Sequence, residues 1–396
     1  MLKIIPIAEL RPGMQVIKTD EDWTKRPYLY NCEHLIRSRE EVERIIADGY
    51  KEAAIDLDRS EASVFTSGLS AERPAAPVED DLPPPPKVLL EEELPKAVKV
   101  HDQGVAYARK FLDGMRKGRL DVSGGEELMT GVLESVERNA DALISLSRLH
   151  RSDTYTYTHC MNVAVLSTVF ARFSRRSELD IFTAGLTGLF HDLGKALVPL
   201  TILNAPRKLT EAEFSIMRRH PELGYEQLAK VPGIKEDVLR GALEHHEQFN
   251  GNGYPKRLSG EAISPIGRAS AICDVYDALT SRRVYKGAMY PHKALGIMYQ
   301  MGSKEFDPRA VATFIRMLGI YPVGSVVELA DGSKAVVAVS NPREPKRPTI
   351  QPALDPQGKP WKRGICVPGN NCPEIVGCIP AEAAALEPLR VLGLPV

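Results

Sequence analysis

Between about residues 150 and 320 the apolar positions recur three and four apart with little strict alternation, the pattern of helices that bury one face. The spacing predicts helices over Thr154 to Phe173, Glu178 to Phe190, Glu211 to Lys230, Lys235 to Glu247, Ser264 to Thr280, Pro291 to Met301 and Pro308 to Leu318. Thr210 followed by Glu213 is a capping-box pair for the third of these. Ahead of the block, Val88 to Lys117 and Gly125 to His150 keep the same period, with Val105, Ala108, Phe111, Leu112 and Met115 on one face and a break around Asp121 to Gly125. These two helices read either as a packed hairpin of the main domain or as an element that pairs with a second subunit and transmits a signal.

Both ends of the chain are patterned differently. Residues 1 to 60 set short extended runs (Leu2 to Ile7, Pro12 to Ile17, Ala53 to Leu57) around a helix over Ser38 to Asp48, which predicts a small α+β domain. Residues 61 to 87 shift to Ala, Ser, Glu and Pro and contain Pro83-Pro84-Pro85-Pro86; prolines lack amide donors and hold polyproline II, so this stretch reads as an extended linker. Beyond 320, Ser325 to Leu329 and Lys334 to Val339 flank Ala330-Asp331-Gly332-Ser333, a hairpin signal, and the rest is proline-rich. The expected architecture is therefore mainly α: a small α+β domain (1–60), a linker (61–87), a helical connector (88–150), a helical domain (151–319) and a C-terminal extension with a β-hairpin (320–396).

Charge and composition narrow the partners. The 396 residues carry 51 basic and 52 acidic side chains and a formal net charge of -1, so no global field recruits a nucleic-acid polymer or an anionic membrane. Apolar runs such as Met161 to Phe170 are far short of the roughly 20 residues of a membrane span, and the N-terminus has no signal-peptide pattern. A cytoplasmic protein is expected. Cys160 and Cys273 fall on buried helical faces and read as packing residues, while Cys366, Cys372 and Cys378 recur six apart, unlike the short CxxC knuckles of zinc sites.

Histidine placement changes the picture most. Five of the nine histidines, His159, His191, His220, His245 and His246, lie in one stretch of the helical domain. One histidine on an apolar helix face is commonly a satisfied core residue; four helices each supplying at least one point to ligation. His191 is followed directly by Asp192, and a carboxylate can bridge two cations whereas an imidazole ligates one. His245 and His246, about 100° apart on a helix, are placed to reach different ions. With Asp274 from another helix the set is five imidazoles and two carboxylates, enough for two divalent transition metals. Such a pair suits phosphate ester hydrolysis, because it supplies Lewis acidity and lowers the pKa of water to roughly 7 to 9. Lys195 is placed either to neutralise a phosphate oxygen or as an ordinary solvated lysine.

The set His191-Asp192-Leu193-Gly194-Lys195, His245-His246-Glu247, Asn250-Gly251-Asn252-Gly253-Tyr254-Pro255 and Asp274-Val275-Tyr276-Asp277-Ala278-Leu279-Thr280 resembles, in order and spacing over about 150 to 320, the HD-GYP family of bacterial cyclic di-GMP phosphodiesterases. The first 60 residues resemble a small domain of unknown function often fused ahead of it. The resemblance implies a metal shell of His159, His191, Asp192, His220, His245, His246 and Asp274 holding two divalent metals, Fe or Mn, with Asp192 bridging and catalytic. It places Lys195 on the scissile phosphate and Asp277, Arg283 and Lys286 against the dinucleotide. It associates Gly253-Tyr254-Pro255 with the site's rim and signalling partners, where spacing alone reads a turn. The implied activity is hydrolysis of cyclic di-GMP to linear pGpG, and whether a further step to GMP follows stays open. Cyclic GMP-AMP as substrate and a sensor without turnover stay open, while the Gly-Tyr-Pro loop argues against a nucleotidase or a triphosphohydrolase. Members thought to hold a third metal carry Glu four residues before the first ligand histidine; here that residue is Tyr155, so two metals are expected.

Overall fold

The computed structural model describes residues 2–19, 34–56, 85–149, 155–281 and 289–393, except for 37, 48, 49, 303, 345, 362 and 363. Arg283, Lys286 and most of the expected linker at 61–87 lie outside the described residues.

In chain order the elements are β1 (Leu2–Pro6), β2 (Gln15–Thr19), β3 (His34–Leu35), α1 (Arg39–Ala47), β4 (Glu52–Asp56), α2 (Leu90–Arg116), α3 (Gly125–Leu149), α4 (Tyr155–Phe173), α5 (Glu178–Phe190), a 3-10 segment Leu193–Leu197, and α6 (Leu200–Leu203). They continue with α7 (Glu211–Met217), α8 (His220–Leu228), α9 (Glu236–Glu244), α10 (Pro265–Thr280), α11 (Pro291–Met301), α12 (Pro308–Leu318), β5 (Val326–Leu329), β6 (Lys334–Val339), β7 (Thr349–Leu354), β8 (Ile375–Ile379) and α13 (Pro388–Val391). Among the described residues no helix is long and apolar enough to cross a membrane.

The N-terminal strands form one antiparallel sheet of order β1-β4-β2-β3. Period-2 alternation sets its faces: Ile4 is exposed while Ile5 is buried and packs with Val16, Ile55 and, from α1, Val42 and Ile45.

The helical domain is built on α4, which is buried at every position from Thr158 to Phe170. A helix apolar all round belongs in the middle of a bundle. Neighbouring α5 approaches it backbone to backbone: a Cβ at Gly188 would stand 2.6 Å from the Val163 carbonyl oxygen and 2.7 Å from the Ala164 Cα. This close approach brings the C-terminus of α5, with His191, against the N-terminal half of α4, with His159. Ala97, Ala108, Phe111, Leu112 and Met115 of α2 and Val132 and Val136 of α3 join the same core, so the hairpin packs into the main helical body.

Two stretches differ from the periodicity. The predicted helix Glu211 to Lys230 is two helices, broken at Arg218 and Arg219. Pro221 is the reason: it has no N–H to offer the Met217 carbonyl and its ring excludes that oxygen, so α7 ends and α8 restarts with proline in its first turn. The capping box at Thr210 and Glu213 forms as expected. At the other end, the hairpin β5–β6 turns on Gly332 with φ 85°, but β7 and β8 extend it to a four-stranded antiparallel sheet of order β7-β6-β5-β8. Pro352 lies inside β7, an edge strand, where a missing ladder donor is tolerated. The sheet touches the helical body where Ser340 Oγ donates to the buried Asp141 carboxylate at 3.2 Å.

Candidate metal centre

Three of the ligand-type histidines reach back to helix C-termini. His191 follows the last residue of α5, His245 follows that of α9, and His220 opens α8 three residues after the last residue of α7. Carbonyls of a last helical turn lack intrahelical partners, and each of these imidazoles supplies one. Nδ1 of His191 bonds the Gly188 carbonyl, Nδ1 of His220 that of Met217 and Nδ1 of His245 that of Ala242, each at 2.8 Å. A carbonyl only accepts, so Nδ1 carries the hydrogen and Nε2 presents a lone pair. In His220 the acceptor is the carbonyl that Pro221 leaves unpaired.

His159 lies inside α4 and has no helix end to cap. Its Nδ1 bonds Asp277 Oδ2 of α10 at 2.6 Å, which again turns Nε2 toward the centre. The four lone pairs converge in pairs: Nε2 of His159 and of His191 are 3.2 Å apart, and Nε2 of His220 and of His245 are 3.2 Å apart. Lone pairs facing at that distance repel unless a cation lies between them.

Asp192 sits between the two pairs. Its Oδ2 is 3.6 Å from His159 Nε2 and 3.5 Å from His191 Nε2, while its Oδ1 is 3.3 Å from His220 Nε2 and 3.7 Å from His245 Nε2. Because those nitrogens bear no hydrogen, Oδ1 is a buried carboxylate oxygen with no donor among the described residues. Asp274 completes the ring, with Oδ1 3.0 Å from His159 Nε2 and Oδ2 3.9 Å from His246 Nδ1. The donors group as Asp192, His220, His245 and His246; as His159, His191 and Asp192; and as His191, His245 and Asp274, each within 4.8 Å. The orphaned Asp192 oxygen, the opposed imidazole lone pairs and the mixed nitrogen and oxygen donor set all fit divalent transition metals.

His245 and His246 fall together in the group with Asp192 and His220, and His245 falls also in the group with His191 and Asp274; their rings are 4.2 Å apart.

Electrostatics carry the same demand for positive charge. Burial opposes ionisation of Asp192, yet Lys195 and His191 hold its carboxyl well below the usual range, and the histidines do the same for Asp274. Burial pushes His191 down to about 3 and also lowers His220 and His246. For His159 burial is outweighed by the carboxylates of Asp274 and Asp277, which raise it to about 9. Lys195 lies beside the donors, with Nζ 2.5 Å from Asp192 Oδ2.

Asp277, expected against the dinucleotide, stands behind His159 instead. It is 2% exposed, and its other oxygen accepts from Asn162 Nδ2 at 2.9 Å and Ser281 Oγ at 3.0 Å. The Gly253-Tyr254-Pro255 loop forms a wall of the site. The Tyr254 ring lies 4.8 Å from that of His246 and beneath the Arg218 guanidinium, and Glu247 ties the loop down through the amides of Lys256 and Leu258 at 2.6 and 2.9 Å. A Cβ at Gly253 would meet Gln248 N at 2.2 Å, so only glycine allows this approach.

Sequence reasoning passed over Asn162. Its signal was present: the one side-chain amide in the largely apolar run Met161 to Phe170, one turn after His159, is buried and needs partners.

Residues 139–310 match the HD domain family model and residues 2–122 the model of a domain of unknown function, DUF3391. A cyclic di-GMP phosphodiesterase of Pseudomonas aeruginosa is 35% identical over 393 residues, covering 97% of this chain and 93% of its own length. A cyclic di-GMP phosphodiesterase response regulator of Xanthomonas campestris pv. campestris is 32% identical over 225 residues, 56% of this chain and 59% of its own. A 3'3'-cGAMP-specific phosphodiesterase of Vibrio cholerae is 35% identical over 168 residues, 42% of this chain and 36% of its own. With that first identity sustained along nearly the whole chain, and with the His-Asp pair, the paired histidines and the Gly-Tyr-Pro loop closing on one donor cluster, the chain belongs to the HD-GYP family of HD-domain proteins, in the form that carries DUF3391 ahead of the HD domain.

Proposed function

We propose that the chain hydrolyses cyclic di-GMP to linear pGpG, in the cytoplasm, with two divalent transition metals, Fe or Mn, held by His159, His191, Asp192, His220, His245, His246 and Asp274. The observation that carries this reading is the placement of Asp192, whose two oxygens face separate histidine pairs in a buried site. Divalent ions in such a donor set supply Lewis acidity toward phosphoryl oxygens and lower the pKa of water.

The chain's own side chains do the rest. The three histidines at helix ends are held by main-chain carbonyls and need no reorganisation when the centre is loaded. Lys195, partly exposed beside Asp192, offers an ammonium to a phosphoryl oxygen of the substrate. Tyr254 and His246 wall one side of the donor cluster. Arg283 and Lys286 follow α10, the helix that brings in Asp274, and we assign them to the guanine and phosphate groups of the dinucleotide.

Activity toward 3'3'-cyclic GMP-AMP is the second reading, favoured by the identity to a relative specific for that dinucleotide. Incubation of anaerobically purified protein with each dinucleotide under Mn²⁺ or Fe²⁺, followed by chromatography of the products, separates the two. Turnover of neither leaves a non-hydrolysing sensor and overturns the proposal.

A further inference from the structure

His159 lies inside α4 rather than at a helix end, and a chain of side chains reaching across three helices orients it. Asp277 of α10 accepts from His159 Nδ1 through Oδ2 and from Asn162 Nδ2 through Oδ1. The Asn162 amide nitrogen also donates to the Ser147 carbonyl at 2.7 Å. Both of its hydrogens are thereby used on acceptors, which fixes the amide orientation and leaves Asn162 Oδ1 as an acceptor. His101 Nε2 of α2 stands 3.0 Å from that oxygen and is the donor. His101 and Asn162 are 1% exposed and Asp277 and His159 2%, so water does not interrupt the chain.

We propose that His101 and Asn162 are positioning residues of the metal centre, acting through Asp277 to fix the rotamer and tautomer of His159. The proposal rests on reading the cluster as a metal centre, not on its substrate. The chemistry runs in one direction. His101 pins the Asn162 amide, Asn162 pins one oxygen of Asp277, and the other oxygen holds the hydrogen on His159 Nδ1, so that Nε2 is the nitrogen turned to the other donors. Outer partners of this kind typically account for 10- to 100-fold in metal affinity. The chain begins at His101, inside the segment 2–122 that matches DUF3391, and ends on a donor of the HD domain. A displacement of α2 thus bears on His159 through hydrogen bonds.

The test measures Mn²⁺ affinity of the full chain by chelator competition, without substrate, alongside thermal stability. His101→Leu removes the donor, His101→Gln keeps an N–H, Asn162→Asp replaces the amide donor by an oxygen facing Asp277, and Leu94→Ala removes buried volume from α2 without touching the chain. We expect His101→Leu and Asn162→Asp to lower Mn²⁺ affinity by about 10- to 100-fold, His101→Gln to restore it to within about threefold, and Leu94→Ala to lower the melting temperature with affinity unchanged. Wild-type affinity in folded His101→Leu and Asn162→Asp overturns the proposal. So does an equal loss in His101→Gln or Leu94→Ala, which would make the effect one of packing. A wild-type chain that takes up Mn²⁺ but cleaves no dinucleotide refutes the proposed activity and leaves this test intact; one that takes up no Mn²⁺ overturns the metal centre and the positioning role together.

Discussion

Gly194→Ala tests whether backbone contact between the 3-10 segment and α8 sets the metal centre. A Cβ at 194 would lie 1.9 Å from the His220 carbonyl oxygen, 2.6 Å from Gly224 N and 2.8 Å from the His220 carbonyl carbon. Cβ contacts under 3.0 Å are essentially never seen, so the two backbones must part by about 1 Å, and no flexible side chain can absorb the shift. Asp192 lies two residues before Gly194, and His220 provides the atom in collision; the shift therefore falls on the Asp192 Oδ1 to His220 Nε2 separation of 3.3 Å. Ligand positions tolerate about 0.2 Å, and a misplacement on the order of 1 Å costs about 10²-fold in rate. Overpacking itself costs about 1–3 kcal/mol, a loss the folded chain can survive. Gly224→Ala is the control at the same contact. Its Cβ would stand 3.2 Å from Gly194 N, which a few tenths of an ångström relieve. Metal content, melting temperature and cyclic di-GMP turnover should all fall in Gly194→Ala, turnover by about 10²-fold or more, and stay near wild type in Gly224→Ala. Full metal content and wild-type turnover in Gly194→Ala would refute the reasoning.

Asp192→Ala should abolish turnover and lower bound metal, since two cations lose their shared anionic ligand; metal analysis beside the product assay checks it, and unchanged values would sink the bridging assignment. Lys195→Ala should leave metal content intact and slow turnover by about 10²-fold, the scale of one lost transition-state contact; a loss of metal instead would make Lys195 a support for Asp192. Asp141→Asn concerns pH. Burial pushes the Asp141 carboxyl up from 3.8 to about 6, against the Ser340 hydrogen bonds. Its protonated form therefore stabilises the fold fully below pH 3.8, and that stabilisation is lost as the pH rises through about 6, roughly 3 kcal/mol in all. The melting temperature of Asp141→Asn should be flatter than wild type across this window by calorimetry, and parallel profiles would count against the assignment.

The helices were legible because burial in a bundle writes a 3.6-residue period, and all-round burial of α4 follows from its nearly uninterrupted apolar run. The break between α7 and α8 was equally present, as Pro221, but apolar spacing on both sides hid it. β7 and β8 were not legible. Pro352 speaks against a strand unless that strand is known to lie at an edge, and only the sheet order β7-β6-β5-β8 supplies that knowledge. In the same way Gly194 reads locally as a helix breaker, whereas its tightest constraint is the approach of His220 from 26 residues away.

Donor types were readable, and what orients the donors was readable for only part of the set. His191, His220 and His245 each bond a carbonyl three residues back at a helix end, a local geometry that helix boundaries alone predict, and for His220 the neighbouring proline makes the acceptor. His159 has no such end, so its orientation depends on Asp277, 118 positions from His159 and 115 from Asn162, which only folding brings near. Asp277, expected against the dinucleotide, spends both oxygens inward, a role that the spacing of Asp274 and Asp277 could not reveal. The consequence is an asymmetry within the centre. Of the five imidazoles, those of His191, His220 and His245 are each held by a main-chain carbonyl three residues back, whereas that of His159 is held through side chains from α10, α4 and α2. Substitutions in the bundle far from the donors should therefore act on metal affinity through His159 before they act through His191, His220 or His245.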